Sequence, residues 1–205
     1  MDLLVAISLG LTLTCSAETI SCQATYAGML PPGHVAAGVL LGERRSRRTA
    51  QHPLLLIAGG IAIGVLPDLD VLLPKLLSRA GIEHELDSGV HHSWITHTPV
   101  FWGWVTLTAR RLAQRPRAPA WAADVAGMLA TGTAVHLAQD SLANTVALLW
   151  PVRRRRYGFQ LDRLPGVTDH AEYARRYPAS PAAKVEALLV LAAAVTCARR
   201  LGGSA

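Results

Sequence analysis

Apolar residues run along this chain in blocks, and the blocks are divided by proline and arginine. They are rich in Ala, Leu and Val and lack a period of two, which predicts helices and argues against strands. Five are expected: 33–41 after "PPG", 53–66 ("PLLLIAGGIAIGVL"), 99–112, 120–150 and 182–200. Pro67 closes the second, because the residue before a proline is pushed out of helical geometry. "RPRAP" (115–119), "WPVRRRR" (150–156) and "YPASP" (177–181) separate the later ones. The predicted fold class is all-α, a membrane-associated bundle of about five helices. No block reaches the ~20 unbroken apolar residues of a self-evident spanning helix. Gly60 and Gly64 have the small-xxx-small spacing that lets two helices approach closely. Residues 1–28 are expected to stand apart from the fold: "MDLLVAISLGLTLTCSAETI" has a signal-like apolar centre but carries Asp2 where a positive charge belongs, and Met29 is an alternative start. Residues 29–205 then form one helical domain.

Composition turns this helical pattern towards a membrane. Hydrophobic residues make up 51% and charged residues 17% of the 205, against about a quarter charged in ordinary soluble domains, and the mean hydropathy is +0.28. The formal charge of +6 comes from arginines in short runs at 43–48, 109–117, 153–156, 174–176 and 198–200. Such runs flank membrane helices or meet anionic groups. With only 5% aromatic residues and no continuous basic helix face, no nucleic-acid partner is expected. Cys15, Cys22 and Cys197 have neither disulfide-framework nor zinc-thiolate spacing.

The chemistry lies where charge and imidazole interrupt apolar sequence, since such groups are costly in a membrane or core unless paired or metal-bound. The places are His34, Asp68 and Asp70 in "GVLPDLDVLLP", His92 and His97 in "HHSWITHT", and His136 and Asp140 in "GTAVHLAQDSL". His136 and Asp140 share a helix face at a spacing of four. Taken alone, that pair reads equally as a hydrogen-bonded couple, "PDLD" as a turn, and the histidines as a pH-sensitive loop. If the first four segments run antiparallel, all seven groups fall at one end of the bundle, and the basic loops 43–48 and 110–117 fall at the other. Seven donors exceed the four of one tetrahedral ion, so two or more metals are expected. Lys and Arg divide evenly between the two ends, so the positive-inside rule sets no orientation. Arg153 and Arg154, in the "RRRR" run on the metal side, are candidates for holding an anionic substrate group, with a headgroup-contacting collar as the alternative.

In order and spacing, "PGHVAAG", "GVLPDLD", "HHSWITH" and "HLAQDSL…LLWP" resemble the YdjM-like family of inner-membrane metal-dependent hydrolases. The resemblance rests on Gly33-His34, Leu66-Pro67-Asp68-Leu69-Asp70, His92 with Thr96-His97, His136 with Asp140, and Trp150-Pro151 with Arg153, and covers roughly 33–156. The chain departs from the family pattern at Val71, where a histidine is frequent, with His84 or His91 as replacements. It departs again at Ser93, Trp94 and Thr98 in the histidine loop.

The resemblance implies metal-dependent hydrolysis. The expected protein is a multi-pass enzyme of the cell membrane in which His34, Asp68, Asp70, His92, His97, His136 and Asp140 hold divalent metal, most simply Zn2+. A bound ion of this kind lowers the pKa of its water from 15.7 towards ~7, and Asp70 or Asp140 is the candidate general base. The expected partners are membrane lipid and an ester or phosphoester substrate. Two other classes fit the same residues: a metal-binding or ion-transport protein without hydrolysis, and a structural membrane protein with satisfied core histidines.

Overall fold

The computed structural model describes residues 6–7, 11–12, 31–49, 53–82, 92, 94–153, 155–162, 164, 167 and 170–202. The architecture is all-α. Its helices are α1 (Pro31–Ser46), α2 (Pro53–Val65), α3 (Leu72–Arg79), α4 (Pro99–Ala113), α5 (Trp121–Ala143), α6 (His170–Arg176) and α7 (Pro181–Gly202). Two dipeptide strands, Ala6–Ile7 and Leu11–Thr12, pair near the N-terminus. The chain divides into two compact units.

One unit holds Leu30–Pro67, Pro99–His136 and Val185–Ala205. In it, α1 and α2 pack backbone to backbone along glycines: a Cβ on Gly60 would lie 2.2 Å from the Gly38 carbonyl oxygen, and one on Gly64 2.5 Å from that of His34. No side chain larger than hydrogen permits this approach. Leu56, Ile63 and Met128 form a buried cluster, with Leu41, Val125 and Leu129 against it. The polar end is closed by ion pairs: Arg45 donates to Asp124 at 2.8 and 2.5 Å, and Arg200 donates to Glu43 and to Ser46. The Gly33 amide, one of the orphan donors of a helix start, reaches Glu186 Oε1 at 2.9 Å.

The other unit contains Asp68–Thr98 and Leu137–Lys184, together with Met1–Met29. Pro67 does not end the second helix outright. The chain tightens into a 3-10 turn over Leu66–Val71 and continues as α3, so the apolar run is longer than its proline suggests. The fourth predicted helix stops at Ala143 instead of running to 150. Asn144 and Thr145 break it: the Asn144 carboxamide oxygen accepts the Thr145 amide at 2.7 Å, a local bond that competes with the helical ladder. The last carbonyls of α5 are then satisfied from downstream. Phe159, Leu161 and Asp162 amides donate to Ser141, Leu142 and Ala143 at 2.7, 3.0 and 3.2 Å, and Arg156 clamps the Thr145 carbonyl at 3.2 and 2.7 Å. This segment lies so close that a Cβ on Gly158 would overlap the Asn144 carbonyl. Helix α6 and the continuation of α1 through the basic run to Ser46 are further elements beyond the predicted boundaries. Glu and Arg are good helix formers, and Glu43 and Arg47 pair one turn apart at 3.1 Å.

Two helical stretches are long and apolar enough to cross a membrane: Pro53–Arg79, 27 residues of mean hydropathy 1.9, and Pro181–Gly202, 22 residues of mean hydropathy 1.6. Both leave leucine rows exposed, Leu69, Leu72, Leu73 and Leu76 on the first and Leu188, Leu191 and Val195 on the second. The spacing of three and four puts each row on one helical face. Water does not favour such contiguous apolar faces, whereas acyl chains do.

Candidate metal centre

Four side chains of the second-described unit converge. Asp68 comes from the 3-10 turn after α2, His92 and His97 from the loop before α4, and Asp140 from the last turn of α5. One ligating atom from each lies within 4.8 Å of all the others, a group that could hold a metal ion. His97 Nε2 stands 3.3 Å from Asp68 Oδ1 and 3.6 Å from Asp140 Oδ2. His92 Nε2 stands 3.7 Å from Asp140 Oδ1, and the two rings meet edge to face at 4.9 Å. His97 and Asp140 are 0% exposed and His92 5%, so this is costly chemistry for an apolar interior. Asp68, with a quarter of its side chain accessible, is the member that water reaches.

A shell of supporting groups holds these donors. Asp70 Oδ2 lies 3.3 Å from His97 Nδ1 and accepts the Thr96 hydroxyl, so the Asp70 carboxylate faces the opposite ring nitrogen from Asp68 and Asp140. A carboxylate on that side fixes the tautomer and leaves Nε2 as the ligating atom. Asp70 therefore stands behind His97, outside the four-atom group. Asn144 Nδ2 is 3.3 Å from His92 Nδ1, and the Ala147 amide donates to the His92 carbonyl at 3.2 Å. Thr98 Oγ1 ties back to the Ile95 carbonyl at 2.7 Å, closing the 3-10 turn Ile95–His97. Trp94 precedes that turn in extended geometry, and the loop converges with Trp94 in place of the family's glycine. Burial works against the His97 cation, but Asp68, Asp70 and the Asp140 charge hold its pKa above the ordinary histidine value.

His34 and His136 sit in the first-described unit, where their rings stack at 4.0 Å and 24°. His136 Nδ1 is 2.7 Å from the Gly64 carbonyl. A carbonyl only accepts, so Nδ1 carries the proton and Nε2 the ligating lone pair. Arg153 is exposed, with its amide donating to the Leu149 carbonyl at 2.9 Å. Arg154, and the reserve histidines His84 and His91 with Ser93, lie outside the described residues.

Sequence reasoning missed two groups. Asn144 continues the His136, Asp140 series at the same spacing of four, and that periodicity was the available signal. Asp162 is 1% exposed, with Oδ1 lacking a hydrogen-bond partner among the described residues and the Tyr173 hydroxyl 3.5 Å from Oδ2. Burial pushes its pKa up to about 7, and the Asp140 charge adds to the effect. An acid so soon after four arginines reads as solvated, which concealed it.

The family model described as YdjM inner membrane protein matches residues 29–203. No curated protein and no solved structure matches the chain.

Proposed function

Because the chain belongs to the YdjM inner membrane protein family, we propose that it is a multi-pass membrane hydrolase dependent on divalent metal and acting on an ester or phosphoester. The observation that carries this reading is the buried Asp68, His92, His97 and Asp140 group. Two imidazoles and two carboxylates suit zinc, which takes nitrogen and oxygen donors in tetrahedral sets. When bound there, zinc supplies Lewis acidity and a water acidic enough to react at neutral pH.

The chain's own residues supply the rest. Asp68, His92, His97 and Asp140 bind, and the stacked His34 and His136 offer two further imidazole nitrogens. Asp70 and Thr96 orient His97, while Asn144 orients His92. Asp70 Oδ1 is buried and has no hydrogen-bond partner among the described residues, which makes it a vacant proton acceptor beside the donor group. Asp140 is the other carboxylate suited to that role. The exposed Arg153 is available to an anionic substrate group.

The test is turnover of phosphodiesters, phosphomonoesters and acyl esters by the purified full-length protein in detergent. Hydrolysis of one class, abolished by chelation and by His97→Ala and restored to wild type by zinc, supports the reading. Bound metal with no turnover of any class transfers the assignment to metal binding or ion transport.

A further inference from the structure

A second feature of the chain lies wholly within the first-described unit, away from any His/Asp group. Between the end of α4 and the start of α5 is an open cavity of about 460 Å³, within the ~300–1,000 Å³ range of small-ligand sites. Its walls are there because the sequence places alanine where helices normally carry bulk. Ala109 and Ala113 share one face of α4, and Ala122 and Ala126 one face of α5, each pair four apart. The rim has the opposite character, with Arg115, Arg117 and Trp121 lining it from the connecting loop and the first residue of α5.

The charge of that rim is available. Among the described residues no carboxylate lies within ion-pair distance of Arg110, Arg111, Arg115 or Arg117. Asp124, the acid in the first turn of α5, is already engaged by Arg45 at 2.8 Å. The start of α5 adds the positive end of a 23-residue helix. Trp121, 40% exposed, has the amphipathic ring that settles at a membrane–water boundary. An apolar trough under a basic, tryptophan-marked rim complements one kind of molecule, an amphiphile with an anionic head.

We propose that this cavity binds one anionic phospholipid of the surrounding membrane, with the headgroup phosphate on Arg115 and Arg117 and an acyl chain against the alanine floor. Guanidinium matches phosphate bidentately, and basic pockets between membrane helices are suited to such headgroups.

The test uses full-length protein in neutral detergent, mixed with micelles containing equal phosphatidylglycerol and phosphatidylcholine, with retained lipid counted by native mass spectrometry. Wild type keeps one phosphatidylglycerol in preference. Arg115→Gln with Arg117→Gln lowers that preference about 25-fold, about fivefold for each basic residue removed. These are exposed loop positions, so the fold is retained, which an unchanged helical circular-dichroism signal checks. Ala113→Leu with Ala122→Leu fills the trough, keeps the charge, and also abolishes retention. Arg199→Gln, on α7 and outside the cavity, leaves retention unchanged.

Equal retention of the two lipids by wild type overturns the proposal, as does retention that survives the arginine substitutions. Retention that survives the alanine substitutions makes the arginines a surface collar and overturns the cavity site. Displacement of the lipid by millimolar inorganic phosphate makes it a small-anion site instead, and loss in Arg199→Gln makes the preference a general charge effect.

Discussion

Asp70→Asn isolates the support of the metal group from the group itself. Asp70 Oδ2 faces His97 Nδ1 at 3.3 Å and accepts the Thr96 hydroxyl, while Asp68 and Asp140 face Nε2. Asparagine has the same size, and its amide oxygen in the Oδ2 position accepts both hydrogen bonds. What is lost is the negative charge that makes the ring a stronger ligand. Removal of such supporting partners costs 10–100-fold in metal affinity, or ~1.4–2.8 kcal/mol. Stability of the metal-free protein changes little, because an unmade donor replaces the unmade acceptor at Oδ1, each costing ~1–3 kcal/mol. Affinity is read by competition with a chromophoric chelator, and stability by thermal unfolding in detergent after metal removal. Unchanged affinity refutes the orienting role. A loss of more than a thousandfold refutes it differently, by making Asp70 a direct ligand.

Other outcomes follow from the same geometry. Asn144→Ala frees His92 Nδ1 and lowers metal affinity about tenfold, measured by the same competition, whereas Ser141→Ala, which loses only a bond to the Leu137 carbonyl, leaves affinity unchanged. Gly60→Ala places a methyl carbon 2.2 Å from the Gly38 carbonyl and destabilises the α1–α2 pair by ~1–3 kcal/mol, visible as a lowered unfolding midpoint. Asp162 has a folded-state pKa raised from 3.8 to about 7. In the metal-free protein the unfolded chain holds fewer protons at this residue across that window, so stability falls as pH rises through it and levels off above, by at most ~4 kcal/mol. Asp162→Asn flattens this profile; a wild-type slope unchanged in the variant contradicts the assignment.

The sequence conveyed the helices and most of the chemistry because both leave local marks. Blocks of Ala, Leu and Val showed where helices run, and carboxylates within those blocks were conspicuous because an apolar setting penalises them. Asp68, His92, His97 and Asp140 are brought together from three separate stretches, as antiparallel reasoning anticipated. The boundaries were less legible. Pro67 reads as a stop, yet a 3-10 turn carries the chain through it, and nothing local distinguishes the two outcomes. The end of α5 depends on amides donated by Phe159, Leu161 and Asp162, a long-range contact with no pattern in the α5 sequence. The same contact hides the function of "RRRR": Arg156 is a structural clamp on the Thr145 carbonyl, although its neighbours look identical in sequence. Asp70 illustrates the remaining limit, because spacing places it beside Asp68 but cannot say which nitrogen of His97 each one faces.

The central claim is that Asp68, His92, His97 and Asp140 form one metal-binding group. Its most direct measurement is the metal content of the full-length protein, purified in detergent without chelating resin and analysed by inductively coupled plasma mass spectrometry beside His97→Ala and Asp140→Asn. The account predicts at least one equivalent of divalent metal per chain in wild type, zinc foremost, and its loss in both variants while their helical circular-dichroism signals are retained. Wild-type protein that neither carries metal nor takes it up on reloading, or variants that hold as much as wild type, would contradict it.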